Sequence, residues 1–205
     1  MTTGDIFAAL NTSDSNLLPR DGEVYYHGVL FSLQQADDYF QRLFTEIDWQ
    51  PDQARIGGQV IETARKVAWH GEHNFRYRYS GVQKIAKPWT DTLRAIKDNI
   101  EQHSQTTYNS CLLNLYHDGS EGMAWHSDGE KDLKQGAAIA SVSLGAERRF
   151  LFKHKQSKEK VAIVLAHGSL LIMQGETQQH WQHRLPPTVK VTEPRINLTF
   201  RTIEQ

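Results

Sequence analysis

The stretch "AAIASVSLGAERRFLFKH", residues 137–154, consists of two short apolar runs joined by a turn that contains Gly145. Similar runs fill the second half of the chain: "NSCLLNLY", "VAIVLA", "GSLLIM", "HWQHRL" and "PRINLTFRTI". Each has strand length, and Gly, Pro and polar turns separate them without an intervening helical pattern. Closely spaced strands of this kind favour a mainly β sandwich or jelly roll over alternating strand–helix units.

Two helices are expected in the first half, flanking the strands. Ser32 with Gln35 forms a capping box, and an apolar stripe at helical spacing follows at Leu33, Ala36, Phe40, Leu43, Phe44 and Ile47. Pro88 suits a first helical position, and Trp89, Leu93, Ile96 and Ile100 would face inward. Between these helices, "FRYRYSG" alternates rings and charges like a strand. Residues 1–22 are polar and aperiodic, which predicts a flexible lead-in before one domain over residues 23–205.

Composition points away from secreted and membrane proteins. The 205 residues include one Cys, the beginning does not resemble a signal peptide, and no apolar run reaches the length of a membrane span. The sequence therefore predicts a soluble intracellular protein that does not bind membranes.

Charge is distributed unevenly although the formal net charge is only −1. Nine acidic side chains face two basic ones before residue 55, whereas residues 55–87 hold seven basic against two acidic. A second basic cluster follows at Lys153, Lys155, Lys158 and Lys160. This asymmetry is compatible with a surface for a polyanion, and equally with ordinary solvated charges.

The stretch "MAWHSDGEKDL", residues 123–133, places His126 and Asp128 one residue apart. The motif is weak alone, but a further His would complete the facial triad that suits Fe(II) and dioxygen. Candidates for that third ligand are His154, His167, His180 and His183. His180 and His183 share the expected strand "HWQHRL" three residues apart, so alternation directs them to opposite faces, and periodicity does not choose between them.

The last strand predicts a grip for a small diacid. In "RINLTFR", the side chains of Arg195, Asn197, Thr199 and Arg201 alternate with an apolar set. Guanidinium groups bind carboxylates in a bidentate way, although the two arginines lie roughly 20 Å apart on an ideal strand and would have to lean together. Asn114 and Tyr116 share one face just before the His126 loop. The alternative is a polar face in solvent.

Four stretches together resemble the AlkB family of Fe(II)- and 2-oxoglutarate-dependent dioxygenases, and most closely its branch that repairs alkylated DNA, which includes the human homologues two and three. They are "LLNLYHDGSEGMAWHSDGE", "IASVSLGAERRFLFKHK", "LAHGSLLIMQGETQQHWQHRLP" and "PRINLTFR". The resemblance implies a double-stranded β-helix, or jelly roll, with an N-terminal nucleotide-recognition lid at about residues 50–90.

The resemblance also assigns roles to residues. It implies iron at His126, Asp128 and His183, the His before the "LP" turn. It implies 2-oxoglutarate at Asn114, Tyr116, Arg195, Asn197, Thr199 and Arg201. Substrate contacts are implied at Tyr77 and Tyr79, which would stack on a flipped base, and at Arg65 and Lys66, near the nucleic-acid backbone. Gly129 and Glu130 follow Asp128. The family commonly has an acidic residue directly after the metal Asp, where this chain has Gly129 and then Glu130.

The activity implied is oxidative demethylation of N-alkylated bases, such as N1-methyladenine and N3-methylcytosine, in DNA. O2 and 2-oxoglutarate are consumed, and succinate, CO2, formaldehyde and the repaired base are released. The alternatives are an oxygenase of the same mechanism acting on RNA or protein, a non-catalytic reader of damaged nucleic acid, and a zinc hydrolase. A reader has no use for a metal triad, and a hydrolase does not explain Arg195 and Arg201.

Two departures from the duplex-repairing relative predict a preference for single strands. Gly57 in "IGGQ" stands where that relative carries an aromatic finger, and "PPTVK" retains only Lys190 of a basic loop. We expect a monomer, located in the cytoplasm of a bacterium or the nucleus of a eukaryote.

Overall fold

The computed structural model describes residues 15–56, 59–79, 82–129 and 132–204, and only backbone is described within residues 53–61 and 76–84. Strands dominate the described residues, and they are β1 (Glu23–Val29), β2 (Gln50–Ile56), β3 (Gln59–Gly71), β4 (Arg76–Tyr79), β5 (Val82–Ile85), β6 (Lys87–Pro88), β7 (Ser110–Tyr116), β8 (Met123–His126), β9 (Ile139–Gly145), β10 (Arg148–His154), β11 (Lys160–Leu165), β12 (Ser169–Gln174), β13 (Trp181–Leu185) and β14 (Arg195–Arg201). The helices there are α1 (Leu33–Glu46), α2 (Asp91–Ser104) and α3 (Thr177–His180).

The major sheet has the strand order β1-β12-β9-β14-β7-β3-β2, with the short β6 also paired to β3. Strand β14 lies between β9 and β7, with Asn197 opposite Ser143 and Asn114. Ile196, Leu198 and Phe200 are fully buried on one face, as the alternation in "RINLTFR" predicts. The polar residues of β14 occupy the other face but are not in solvent, since Arg195 is 2% exposed.

Helices α1 and α2 cover the apolar face of the major sheet. Ala36, Leu43, Leu93 and Ile96 belong to the same buried cluster as the β14 residues. The capping box of Ser32 and Gln35 is confirmed. Burying aliphatic side chains contributes roughly 1.5–3 kcal/mol each, so this layer fixes the sheet from behind and leaves the polar face free to form a site.

The minor sheet, in the order β11-β10-β13-β8, faces the polar side of the major sheet. Phe152 and Trp181 from the minor sheet pack with Leu171 and Met173 of β12. The two sheets therefore form a sandwich. At one edge of the major sheet lie β3, β2 and β6, and β4 pairs with β5 in a separate two-stranded sheet; these strands cover the residues expected to form the lid.

Three details differ from the sequence predictions. Helix α2 begins at Asp91 with Thr90 as its cap, because Pro88 is instead part of β6. On α1, Leu33 and Phe44 lie on the exposed side, so the apolar stripe is narrower than predicted. Residues 15–22 pack on the fold rather than trailing from it, and Leu18 is buried; residues 1–14 lie outside the described part.

Within the described residues, no helix is long and apolar enough to cross a membrane.

Candidate metal centre and substrate pocket

His126, Asp128 and His183 meet between the two sheets. His126 ends β8, and antiparallel pairing sets it directly opposite His183 on β13. One ligand atom from each of the three residues lies within 4.8 Å of the others, and Asp128 Oδ1 is 3.8 Å from the Nε2 atom of each His. These distances are too long for hydrogen bonds but close enough for one ion to be shared.

The protonation states suit a divalent cation. Nδ1 of His126 lies 2.8 Å from the Ala124 carbonyl, to which it donates, so Nε2 presents its lone pair. Burial lowers the pKa of His183 to about 4, which keeps that imidazole neutral. Burial alone would raise the pKa of Asp128, but the charge of Arg201 and the two imidazoles outweigh it, and the pKa lies below its usual value.

Two contacts hold Asp128 in place. Arg201 Nη2 lies 3.0 Å from Asp128 Oδ2, so the carboxylate is ion-paired on the side away from the imidazoles. The backbone N–H of Asp128 donates to Gln178 Oε1 at 2.8 Å. The carboxylate, 5% exposed, is thus oriented from both its side chain and its backbone.

The remaining candidate histidines point elsewhere. His180 ends α3 rather than sharing a strand with His183, so the predicted alternation between them is wrong; it approaches Glu176 instead. His167 accepts from the Gly145 N–H, and His154 accepts from the Ser157 N–H. These three therefore have structural partners outside the metal-ligand group.

The loop before β8 is tightly packed at its two glycines, Gly119 and Gly122. A Cβ on Gly122 would come within 2.4 Å of the Leu185 carbonyl oxygen. The buried Arg148 guanidinium donates to the carbonyls of Asp118, Gly119, Glu121 and Pro186. The edge strand that carries His126 is held by this carbonyl cage.

Arg195 forms a buried positive site at the far end of β14. Its Cζ lies 5.5 Å from the centre of the Tyr116 ring, and Nη2 donates to Ser143 Oγ at 2.9 Å. Among the described residues no carboxylate lies within ion-pair distance of it, and its buried Nε has no hydrogen-bond partner. Burial lowers the pKa of Arg195 to about 10, so it is still charged at neutral pH. Such a group fits an anionic ligand.

Asn197 and Thr199 line the strand between the two arginines. Asn197 Nδ2 donates to Ser141 Oγ and the Val142 carbonyl, and Thr199 Oγ1 lies 3.4 Å from Asn197 Oδ1. Arg195 contacts Tyr116 and Ser143, whereas Arg201 pairs with Asp128. The two arginines occupy the two ends of β14.

A pocket of about 450 Å³ opens over the metal-ligand group. His126, Asp128, Asn114 and Arg201 line its floor, and the wall includes residues from the expected lid: Asp52, Arg65, Val67 and Trp69. Gly129 also lines it, and a Cβ there would meet nothing within 4 Å. The pocket is therefore bounded by both groups of residues that the resemblance implied.

Arg65 and Lys66 do not act as a surface pair. Arg65 is 7% exposed, forms an ion pair with Asp52 and donates to Asn114 Oδ1 at 3.0 Å. Lys66, its neighbour on β3, is half-buried on the opposite face. Arg65 thus belongs to the pocket wall, and the role of Arg65 and Lys66 near the nucleic-acid backbone stays a prediction.

Some implied substrate residues cannot be placed. Tyr77 and Tyr79 lie in β4, but their side chains are outside the described part, as are Gly57 and Glu130. Sequence reasoning in turn missed Asp52, Ser141, Ser143 and Gln178. The alternating serines in "IASVSLG" were a readable signal, whereas no local pattern marks Asp52 or Gln178.

Comparison with known proteins agrees with this arrangement. The model of the 2OG-Fe(II) oxygenase superfamily matches residues 22–201. The chain belongs to that superfamily. The donor set of two imidazoles and one carboxylate fits Fe(II), and the buried Arg195, which has no carboxylate partner among the described residues, fits a carboxylate of 2-oxoglutarate.

Relatives and a solved structure are similar over most of the chain. The human protein named "DNA oxidative demethylase ALKBH2" is 41% identical over 186 residues, covering 85% of this chain and 71% of that protein. Its mouse counterpart is 36% identical, covering 98% and 89%. The bovine "Alpha-ketoglutarate-dependent dioxygenase alkB homolog 3" is 38% identical, covering 83% and 63%. The solved structure "The structure of OsALKBH1" matches with a TM-score of 0.61 and 19% identity, covering 90% of this chain and 99% of that one, and supports the jelly-roll fold.

Proposed function

We propose that the chain is an oxidative demethylase of N-alkylated bases, such as N1-methyladenine and N3-methylcytosine, in DNA. The observation that carries this proposal is the pocket in which lid residues, His126 and Asp128 of the metal-ligand group, and the Asn114 and Arg201 side chains share one cavity. Relatives named as DNA oxidative demethylases point to the same substrate.

Different residues would hold the metal and the cosubstrate. His126, Asp128 and His183 would hold Fe(II), and Arg195 would bind a carboxylate of 2-oxoglutarate, with Asn114, Tyr116, Asn197, Thr199 and Arg201 beside it. When bound, the two cofactors and O2 supply the oxidation that converts the N-methyl group into formaldehyde. Arg201 keeps Asp128 anionic and oriented, and the buried His183 stays neutral and available as a ligand.

The lid would select the base. A base in a duplex cannot reach a cavity between two sheets, so it must be flipped out of the stack. Arg65, fixed by Asp52 and Asn114, presents a rigid polar wall to an inserted base. Tyr77 and Tyr79 are proposed to stack on that base, with Lys66, Gly129 and Glu130 nearby. Residues 23–205 would act as one domain, monomeric and located in the nucleus of a eukaryote or the cytoplasm of a bacterium.

Single strands are the proposed preference. Gly57 has no side chain to fill a vacated stack, and the loop "PPTVK" offers Lys190 alone while Val189 stands almost fully exposed. Extracting a base from a matched duplex costs a few kcal/mol, which a filling aromatic would partly offset.

The test compares initial rates on one N1-methyladenine oligonucleotide as single-stranded DNA, as annealed DNA and as RNA, at fixed salt. Products are identified by mass, with Asp128→Ala as the inactive control. We expect the fastest methyl loss from single-stranded DNA. Faster loss from RNA would favour the alternative substrate, and equal rates on the annealed strand would contradict the strand preference.

A further inference from the structure

The four strands of the minor sheet contain no acidic residue. Their sequences, "MAWH", "RRFLFKH", "KVAIVL" and "WQHRL", hold five Lys and Arg side chains in a chain whose formal net charge is −1. One of the five, Arg148, is buried in the carbonyl cage. The other four lie on the side of the sheet turned away from the metal centre, and with Trp125 they define the outer minor-sheet face: Trp125, Arg149, Lys153, Lys160 and Arg184.

Register places these cations in a ladder across the sheet. Lys153 pairs with Lys160 on one side and with Gln182 on the other. Arg184 pairs with Leu151, two residues along from Lys153. Like charges this close repel one another, so the arrangement favours binding of an anion that spans several of them. Glu159, which directly precedes Lys160, is paired with Arg20.

Trp125 lies on the edge strand β8, beside two of these cations. Its ring is 4.4 Å from Lys153 Nζ and 6.0 Å from the Arg184 Cζ atom. The side chain is half-buried and belongs to none of the hydrophobic clusters formed by the described residues. An indole among cations on a solvated sheet face can contact a base or sugar while its neighbours bind phosphates.

The outer minor-sheet face begins where the pocket ends. Met123, His126 and Ser127 line the pocket, and Trp125 directly precedes His126 on β8. Along this strand the pocket and the outer minor-sheet face are therefore one residue apart. Arg184 likewise follows His183 directly. A strand that inserts a base above His126 can therefore extend its neighbouring nucleotides across this edge.

We propose that the outer minor-sheet face binds the substrate strand next to the flipped nucleotide. Trp125 contacts a neighbouring base, and Lys153 and Arg184 bind the phosphates on either side, with Lys160 and Arg149 extending the track. The inference rests on the proposed function for the class of ligand. It assigns these residues to strand binding, outside the chemistry of the metal centre.

The test is a binding titration of a dye-labelled, N1-methyladenine-containing single strand by fluorescence anisotropy, using the full chain without added iron. Trp125→Ala should weaken binding roughly tenfold, and Trp125→Phe should restore most of the affinity. The double variant K153A/R184A should lower the slope of log affinity against log salt by about 1.4, which is about 0.7 for each single-strand phosphate contact. In turnover assays these variants should raise KM while kcat stays within about twofold.

Arg42→Ala is the matched control, because Arg42 is an exposed cation on α1, paired with Asp38. Affinities and salt slopes equal to that control would overturn the proposal, as would a loss seen only after the oligonucleotide is annealed to its complement. If Trp125→Ala unfolds, K153A/R184A alone decides the matter. A wild-type chain that binds the strand through this face but removes no methyl group would contradict the proposed function while leaving the surface assignment standing.

Discussion

At the scale of single residues, His180 and His183 lie three positions apart and have different surroundings. His183 is buried opposite His126, whereas His180 ends α3 beside Glu176. We expect His183→Ala to lose tight Fe(II) binding and turnover, and His180→Ala to retain most of both. Iron content after anaerobic loading and desalting, measured with the rate of methyl loss, checks this. Normal iron and activity in His183→Ala would rule out its assignment as a ligand.

Arg195 permits a second residue-scale prediction. Its charge is buried without a carboxylate partner among the described side chains, so a bound carboxylate would be its counter-ion. Arg195→Ala should raise the half-saturating concentration of 2-oxoglutarate by about a hundredfold or more. The half-saturating concentration for Arg195→Lys should lie between those of wild type and Arg195→Ala, because an ammonium keeps the charge but not the planar guanidinium group. Iron content should stay near the wild-type value, and an unchanged 2-oxoglutarate titration in Arg195→Ala would refute the grip.

At the scale of elements, His70 joins β3 to the chain that leads into α2. Its Nδ1 donates to the Pro88 carbonyl at 2.7 Å, and burial lowers the pKa of the imidazole. Below about pH 6.5 the unfolded chain protonates this His, while the folded chain does so only at lower pH. Stability contributed at neutral pH is therefore lost as the pH falls through that window.

His70→Asn isolates this effect, since an amide can still donate to Pro88 but does not titrate. From about pH 7.5 to about pH 5.5, urea unfolding should show a larger loss of unfolding free energy for wild type than for the variant. Equal losses in the two proteins would show that His70 is not the group responsible.

The elements also show which features of the fold could be predicted from local sequence patterns. Alternation along "RINLTFR" and the capping box at Ser32 are local patterns, and both predicted the structure correctly. The start of α2 was misplaced because Pro88 suits a short strand as well as a first helical turn. His126 and His183 are brought together by the register of β8 on β13, which no local pattern encodes. The choice of His183 as the third ligand came from the family resemblance. The Asp52–Arg65 pair depends likewise on how β2 folds back on β3.

At the scale of the whole molecule, the two sheets enclose the site and contribute different residues to it. The major sheet, backed by helices, supplies the polar floor from β7, β9 and β14, and the minor sheet supplies both histidines. The lid strands add Arg65 and Trp69 to the same pocket. Because Asp128, in the loop after β8, pairs with Arg201 of the major sheet, the metal site depends on the closed sandwich, and a bound ion would in turn stabilise it.

The central claim is that this one pocket couples cofactor oxidation to removal of a methyl group from DNA. The most direct measurement mixes anaerobic protein, Fe(II), 2-oxoglutarate and single-stranded N1-methyladenine DNA, admits O2, and counts succinate, formaldehyde and unmodified adenine in the same samples. We predict that the three products form in equal amounts, and that none forms with Asp128→Ala. Succinate produced at an undiminished rate while the DNA keeps its methyl group would contradict the claim.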